Sequence, residues 1–321
     1  MKALIRDRYG LPDVLEVREM ERPFPKPGEV LVRVHAASIN DWDWGLLQGP
    51  TLPFMRTPPK PILGSDVSGR VVGLGSDVRR FRVGDAVYGD LSRIGPHGWG
   101  GFAEYVCARE RSLVLKPDRM TFEQAAALPQ AGQLAVQGLF AAGPVKPGQK
   151  ILINGAGGGV GTIGVQIAKA QGAEVTGVDS AMKLEMMRSI GFDHVIDYQT
   201  EDFTKNGKCY DLIVDTKTTR SPAEYARSLN PGGTYASVGG PEMKVLFGIM
   251  LAGWARGLVT GKRLRLVGLK PNRDLPYLNE QFEAGHLVPV IDGPYALDQG
   301  ADALRHFGSG NHKGKVVITM V

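Results

Sequence analysis

A chain of 321 residues exceeds the roughly 250–300 at which one hydrophobic core stops growing, so two domains are expected. With 43% hydrophobic and 22% charged residues the composition is that of an ordinary globular protein and excludes disordered and fibrous classes. The formal charge of +5 comes from lysines and arginines scattered without a block of like charges, which argues against nucleic acid as a partner, and the only cysteines, Cys107 and Cys209, exclude a disulfide framework and fit a reducing compartment.

The first segment, Met1-Lys-Ala-Leu-Ile-Arg-Asp7, reads as a strand and lacks the apolar run and cleavage site of a signal peptide, so the cytoplasm is the expected compartment. Short strands are predicted at Val30–Val34, Val67–Val72, Ala86–Tyr88 and Phe102–Val106. Turn chemistry at Pro25-Lys-Pro-Gly28, Arg82-Val-Gly-Asp85 and Gly98-Trp-Gly-Gly101 separates them, the punctuation of an all-β barrel. Thr121 is placed to cap a helix whose first turn holds Glu123 and Gln124.

From Lys150 the pattern alternates. Strands are predicted at Ile151–Asn154, Glu174–Val178, His194–Ile196, Leu212–Asp215, Thr234–Val238 and Arg263–Gly268, with helices at Thr162–Gln171, Met182–Ile190 and Pro222–Leu229 between them. This order predicts a doubly wound parallel sheet, so the fold class is α/β with a second, β-barrel domain. The apolar run Val245–Ala255 is shorter than the ~18 residues needed to cross a membrane and reads as a buried or dimer-contact helix. Arg256, Lys262, Arg263 and Arg265 beside it leave attachment to a membrane surface open. A helix at Leu275–Glu283 is assigned to the parallel-sheet domain and the strand Lys315–Met320 to the first. The expected domains are therefore 1–122 with 288–321, and 123–287, with the cleft between them as the expected ligand site.

The strand at Lys150–Asn154 runs into Gly155-Ala-Gly-Gly-Gly-Val-Gly161 and then a helix. Glycines there let phosphate oxygens approach backbone N–H groups at a helix N-terminus. Two registers of the dinucleotide fingerprint fit: Ala156, Gly158 and Gly161, or Gly159, Gly161 and Gly164. Asp179, 18 residues beyond Gly161, ends the next strand where a carboxylate meets a ribose hydroxyl. A nicotinamide dinucleotide is the expected ligand, contacted by Gly155, Ala156, Gly157, Gly158, Gly159, Val160, Gly161, Asp179 and the strand end at Val238 and Gly239.

His35-Ala-Ala-Ser-Ile-Asn40, Pro61-Ile-Leu-Gly-Ser-Asp-Val-Ser-Gly69, Gly101-Phe-Ala-Glu-Tyr105, Leu128-Pro-Gln-Ala-Gly132, Asp193-His-Val-Ile-Asp-Tyr198 and Gly314-Lys-Val-Val317 together resemble the medium-chain dehydrogenase/reductase superfamily, in its zinc-free quinone oxidoreductase-like branch. The likeness runs over essentially the whole chain. It implies a GroES-like barrel, a Rossmann domain, hydride transfer from NADPH or NADH to a quinone or conjugated carbonyl, and a homodimer. Zinc-dependent relatives carry a cysteine where Asn40 stands, Gly-His-Glu where Gly64-Ser65-Asp66 stands, and a cysteine near Gln130, so no metal is expected. His97 reads as a loop histidine rather than a ligand.

Without zinc, oxidation of a simple alcohol lacks a Lewis acid, whereas reduction of an activated C=C or a quinone needs alignment and donors for the developing oxyanion. Asn40 is the first candidate for contact with substrate or nicotinamide, with a turn-stabilising role as its other reading. Asp43 and Asp66 are carboxylates on loops that either face the site or anchor backbone or pair with a nearby arginine. In some relatives a tyrosine lies five residues past the asparagine. Here that position is Gly45, flanked by Trp42 and Trp44, which either wall a flat substrate or pack. Gln130, Gln133 and Lys270 are further candidates for contact with nicotinamide, cofactor or substrate. Asp179 favours NADH, while Lys183 and Arg188 favour NADPH, and Tyr198 is placed beside the adenine or in helix packing. The alternatives are a weakly catalytic NAD(P)H-binding interaction protein, suggested by the bulky loop Lys217-Thr-Thr219, and an alcohol dehydrogenase opposed by the missing ligands.

Overall fold

In the computed structural model, which describes residues 1–49, 58, 61–92, 99–240, 248–249 and 261–320, the chain opens with β1 (Lys2–Ile5) paired antiparallel to β2 (Glu16–Glu19). Then comes β3 (Glu29–Ser38), whose Val30, Val32 and Val34 are buried while Arg33 is exposed, the period-two pattern of a strand with one face in a core. After α1 (Asp41–Gln48) come β4 (Asp66–Leu74), β5 (Ala86–Asp90), β6 (Tyr105–Arg109) and β7 (Val114–Leu115). Next come α2 (Phe122–Ala126) and α3 (Pro129–Leu139).

The second run of elements is β8 (Lys150–Asn154), α4 (Gly159–Ala170), β9 (Glu174–Asp179), α5 (Leu184–Ser189), β10 (His194–Asp197), β11 (Tyr210–Asp215), α6 (Pro222–Arg227), β12 (Leu229–Ser237) and β13 (Arg263–Leu266). The chain closes with α7 (Leu275–Glu283), β14 (Ile291–Ala296), α8 (Gly300–Gly308) and β15 (Lys315–Thr319).

By compactness the chain divides into a first unit, Met1–Gln130 with Pro271–Glu283 and Pro289–Val321, and a second, Ala131–Lys270 with Ala284–Val288. The first unit holds a sheet in the order β14-β15-β3-β4-β5-β7, with β6 also on β3. Strand β3 is long enough to serve two neighbours on one edge: its first half pairs β6 and its last residues pair β15, while β4 runs along the other edge. Leu4, Val30, Leu63, Phe102, Leu113, Val316 and Ile318 are among the residues that fill its core.

The second unit is a six-stranded parallel sheet in the order β10-β9-β8-β11-β12-β13. Counted within this unit the order is 3-2-1-4-5-6, so the winding reverses between β8 and β11, where such sheets hold their ligands. Ile151, Leu152, Ile153, Leu212, Ile213 and Val214 are all buried, as strands covered on both faces require.

Several expectations shift. The strand predicted at Phe102–Val106 forms at Tyr105–Arg109, because Phe102 and Ala103 are tied by the Phe102 N–H to the Leu63 carbonyl and by a bridge from Ala103 to Ala3. Residues 123–130 and 271–283 fall with the first unit rather than with the parallel sheet. For the latter segment the ties are Tyr88 Oη donating to Asn279 Oδ1 at 2.7 Å, and Asn272 exchanging two 2.8 Å bonds with the Asp90 backbone. His97 lies outside the described residues, as does the apolar run 245–255 apart from Gly248 and Ile249.

Candidate functional site

In the second unit the turn between β8 and α4 settles which glycines do what. Gly155 has φ +81°, and a Cβ on it would meet Thr216 Oγ1 at 2.0 Å. A Cβ on Gly157 would meet Lys183 Cδ at 2.5 Å, and one on Gly161 the Ala156 carbonyl oxygen at 2.3 Å. The turn is therefore Gly155–Gly158, the helix begins at Gly159, and Gly161 seats the helix on Ala156. These approaches fit the register Ala156, Gly158, Gly161. The N–H groups of Gly155 and Ala156 bond the Val178 carbonyl, while those of Gly159, Val160 and Gly161 have no acceptor among the described residues. Three open donors at the positive end of a twelve-residue helix make an anion cradle fitting a pyrophosphate.

Asp179 ends β9 beside this turn. Its Oδ2 accepts the Gly157 N–H at 2.8 Å, its Oδ1 accepts the Ser180 N–H at 2.8 Å, and Lys183 Nζ stands 3.5 Å from Oδ1, both side chains buried. The two residues expected to pull cofactor choice in opposite directions thus form one ion pair. Tyr198 follows β10 with its side chain 53% exposed, and its N–H bonds the Asp179 carbonyl. Lys270 exchanges backbone bonds with the Gln137 side chain and is itself exposed.

At the strand ends, buried Asp215 gathers the loop that follows it. Its Oδ1 accepts from Asn154 Nδ2 and from the Lys217 and Thr218 N–H groups, and its Oδ2 from Tyr235 Oη at 2.9 Å. Burial, and then the Asp215 charge, push the Tyr235 phenol far above its usual range, so it stays a donor. Thr218, at φ +48°, is held there by bonds of its hydroxyl to Ser237 Oγ at 2.8 Å and to the Gly239 carbonyl at 2.5 Å. The Val238 N–H bonds the Asp215 carbonyl. The Lys217–Thr219 loop is thus a fixed part of the strand ends, a feature the sequence showed only as bulk.

In the first unit the sheet register sets Ser38 opposite Asp66 and Asp66 opposite Asp90, so three polar residues stand in a row across β3, β4 and β5. Just past β3, Asn40 precedes α1. The Asp43 carboxylate, three residues on, accepts the Asn40 N–H at 2.9 Å with one oxygen and the Gly64 N–H at 2.9 Å with the other. Asp43 is thereby an anchor for two loops. The Asn40 side chain donates to Ser65 Oγ at 3.4 Å and accepts from Lys315 Nζ at 2.5 Å. Lys315 also donates to the Ile39 carbonyl at 2.7 Å and stands 3.8 Å from Asp66 Oδ2. That oxygen further accepts from Ser38 Oγ at 3.3 Å and the Gln130 N–H at 3.2 Å.

The positions of Asn40, Ser65–Asp66 and Gln130, far apart in sequence, thus converge, with Lys315 and Asp90 as members the sequence reading missed. The signal for Lys315 was a lysine opening the apolar strand Lys315-Val-Val-Ile318. Among the described residues Asp66 Oδ1, Asp90 Oδ2 and Gln130 Nε2 are buried without a hydrogen-bond partner. Burial raises Asp43 to about 7 against its two backbone bonds, and burial with the Asp66 charge raises Asp90 to about 7. Burial also lowers Lys315, opposed by Asp66, Asp43, Asp41 and Asp90. Trp44 is not brought to this cluster as a wall: its ring packs on Gly308 of α8, where a Cβ would meet it at 2.1 Å, and Trp42 is 55% exposed.

The donor set does not suit zinc. An amide, a hydroxyl and a buried ammonium replace thiolate and imidazole, and among the described residues no three His, Cys, Asp or Glu side chains are grouped to hold a metal.

Residues 26–118 match the family model for an alcohol dehydrogenase GroES-like domain, and residues 190–318 that for a zinc-binding dehydrogenase. A 2-methylene-furan-3-one reductase of Solanum lycopersicum is 34% identical over 99% of this chain and 79% of its own length. An NADPH-dependent alkenal/one oxidoreductase, chloroplastic, of Arabidopsis thaliana is also 34% identical, with the same coverage of 99% and 79%. Among solved structures, the quinone oxidoreductase from Coxiella burnetii matches with a TM-score of 0.86 at 28% identity, covering 100% of this chain and 99% of that one.

Proposed function

The chain belongs to the medium-chain dehydrogenase/reductase superfamily, in its quinone oxidoreductase-like branch, and on that premise we propose that it is a zinc-independent NAD(P)H-dependent reductase of quinones or of the C=C of α,β-unsaturated carbonyls. The observation that carries this reading is the Asn40 cluster, a set of hydrogen-bond donors where zinc-dependent relatives hold their metal. When bound, the dihydronicotinamide supplies the hydride. The open N–H groups of Gly159, Val160 and Gly161 would hold its pyrophosphate, and the strand ends at Asp179, Asp215 and Gly239 would frame the rest of the dinucleotide.

Hydride addition to a conjugated carbonyl moves negative charge onto its oxygen, and the Asn40 carboxamide N–H is the fixed donor that stabilises that charge. Position 45 holds glycine rather than tyrosine, and on this reading solvent supplies the proton that completes the saturated product. Solvent as acid needs no tuned side chain, consistent with Asp43 being occupied by backbone. The protein works as a homodimer on this reading, which rests on the family likeness. Among the described residues no helix is long and apolar enough to cross a membrane.

Chelator-treated protein is expected to oxidise NADPH or NADH in the presence of short enals, enones or quinones, yielding the saturated carbonyl or the hydroquinone. Elemental analysis after chelation and dialysis is expected to find no stoichiometric zinc. Tight coenzyme binding without consumption of any acceptor, or activity that returns only with added zinc, would remove this reading.

A further inference from the structure

We infer that Lys315 is a positioning residue for the reduction: its buried ammonium fixes which way the Asn40 carboxamide faces, so that the amide presents N–H rather than C=O to the substrate oxygen. This rests on the assignment of Asn40 as the oxyanion donor. An asparagine side chain is two-faced, with an acceptor oxygen and a two-proton donor nitrogen at nearly equal reach. In the wrong orientation it would oppose the developing charge.

Lys315 removes that ambiguity. Its ammonium has three donors and no acceptor. Across a 2.5 Å contact only Asn40 Oδ1 can face it. A flipped amide would set N–H against N–H beside a full positive charge. The lysine cannot swing away, because it also donates to the Ile39 carbonyl and faces Asp66 Oδ2, itself held by Ser38 and the Gln130 N–H. With Oδ1 committed, Asn40 Nδ2 donates toward the Asp66 carboxylate and, across a long 3.4 Å contact, to Ser65 Oγ, and the proton of that long contact is the one remaining for a substrate oxygen to draw off. The cation also draws electron density toward Oδ1, which makes the remaining N–H a stronger donor.

The surroundings support a role beyond packing. Lys315, Asp43, Asp66 and Asp90 are each at most 4% exposed. Burying charges is costly, and apolar residues of similar volume often give equal or better stability. Lys315 nonetheless opens a strand whose next three residues, Val316, Val317 and Ile318, are fully buried.

The test is a double-mutant cycle on the full chain, with NADPH and a short conjugated enone: unmodified protein, Lys315→Met, Asn40→Ala and the pair. Each single substitution is expected to lower kcat by about 100- to 1000-fold, the scale of losing one oxyanion donor, with KM for NADPH little changed. The double variant is expected to be no slower than Asn40→Ala alone. Wild-type kcat in Lys315→Met, or losses that multiply in the double variant, would overturn the inference while leaving the reductase reading intact. Absence of turnover in the unmodified protein would remove both. If Lys315→Met does not fold, Asn40→Asp decides: it keeps an oxygen for Lys315 and has no N–H, so folded protein with at least the loss of Asn40→Ala is expected, and wild-type kcat would refute the assignment.

Discussion

Asp90 holds one carboxylate oxygen on the Ser92 N–H at 2.7 Å and the other without a partner among the described residues, beside the charge of Asp66. Burial raises it to about 7, above its unfolded value near 3.8, so the fold binds a proton the unfolded chain releases. That stability is complete below about pH 4 and is lost as pH rises through about 7. Asp90→Asn keeps the acceptor for Ser92 and removes the charge, so melting should occur a few degrees higher than wild type at pH 8 and nearly unchanged at pH 4. An equal shift at both pH values would show that charge is not the cause. At Asp43 the same change should destabilise at either pH, because both oxygens already accept N–H groups and an amide nitrogen cannot. Asp179→Ser should improve NADPH binding relative to NADH about tenfold, since it removes a carboxylate and leaves the Lys183 ammonium without that counter-ion. An unchanged ratio of dissociation constants would refute the placement of Asp179 at the ribose. Asn40, Asp43 and Asp66 were legible as residue types, though Asp43 and Asp66, expected on loops, lie in α1 and at the start of β4. Backbone anchoring by Asp43 was one of the readings the sequence offered, whereas the Asn40 and Gly64 N–H groups it bonds and the lysine that faces Asp66 were not legible, because those partners are tertiary.

Among the elements, the glycine turn and α2 were the most legible, since their determinants are local. Thr121 Oγ1 accepts the Gln124 N–H at 3.2 Å while Gln124 Oε1 accepts the Thr121 N–H at 3.0 Å, the reciprocal cap that the spacing of these residues permits. Gly161→Ala should destabilise the second unit by about 1–3 kcal/mol, because its Cβ would lie 2.3 Å from backbone that cannot yield as a side chain can. Chemical denaturation checks this, and an unchanged midpoint would refute it. The helix predicted at Met182–Ile190 begins instead as a tight 3-10 turn at Ala181–Lys183, where Lys183 is drawn back to Asp179. Periodicity located β3, β4 and β5 but not their full lengths. The last residues of β3 are set by pairing with β15, and the end of β5 by the Asn272 side chain on the Asp90 N–H, rather than by their own residues.

At the scale of the molecule, the two-part architecture followed from length and from the change of period at Lys150, while the allotment of α7 to the first unit did not. Its anchors, Tyr88 to Asn279 and Asp90 to Asn272, join residues more than 180 positions apart, a distance no local pattern reports. Since coenzyme binds only folded protein, NADPH at a hundred times its dissociation constant should stabilise the chain by about 2.7 kcal/mol. Calorimetry without any shift of melting temperature at that concentration would contradict the dinucleotide assignment. The contact between Lys315 and Asn40 spans 275 positions and carries a further consequence for synthesis. A ribosome makes Asn40 before the whole parallel-sheet unit and the lysine only after it, so a nascent chain carries the Asn40 amide without its lysine partner. On the proposed reading the amide is aligned only after the strand Lys315–Thr319 has followed that unit out of the ribosome, so a nascent chain that stops short of this strand should be the slower catalyst.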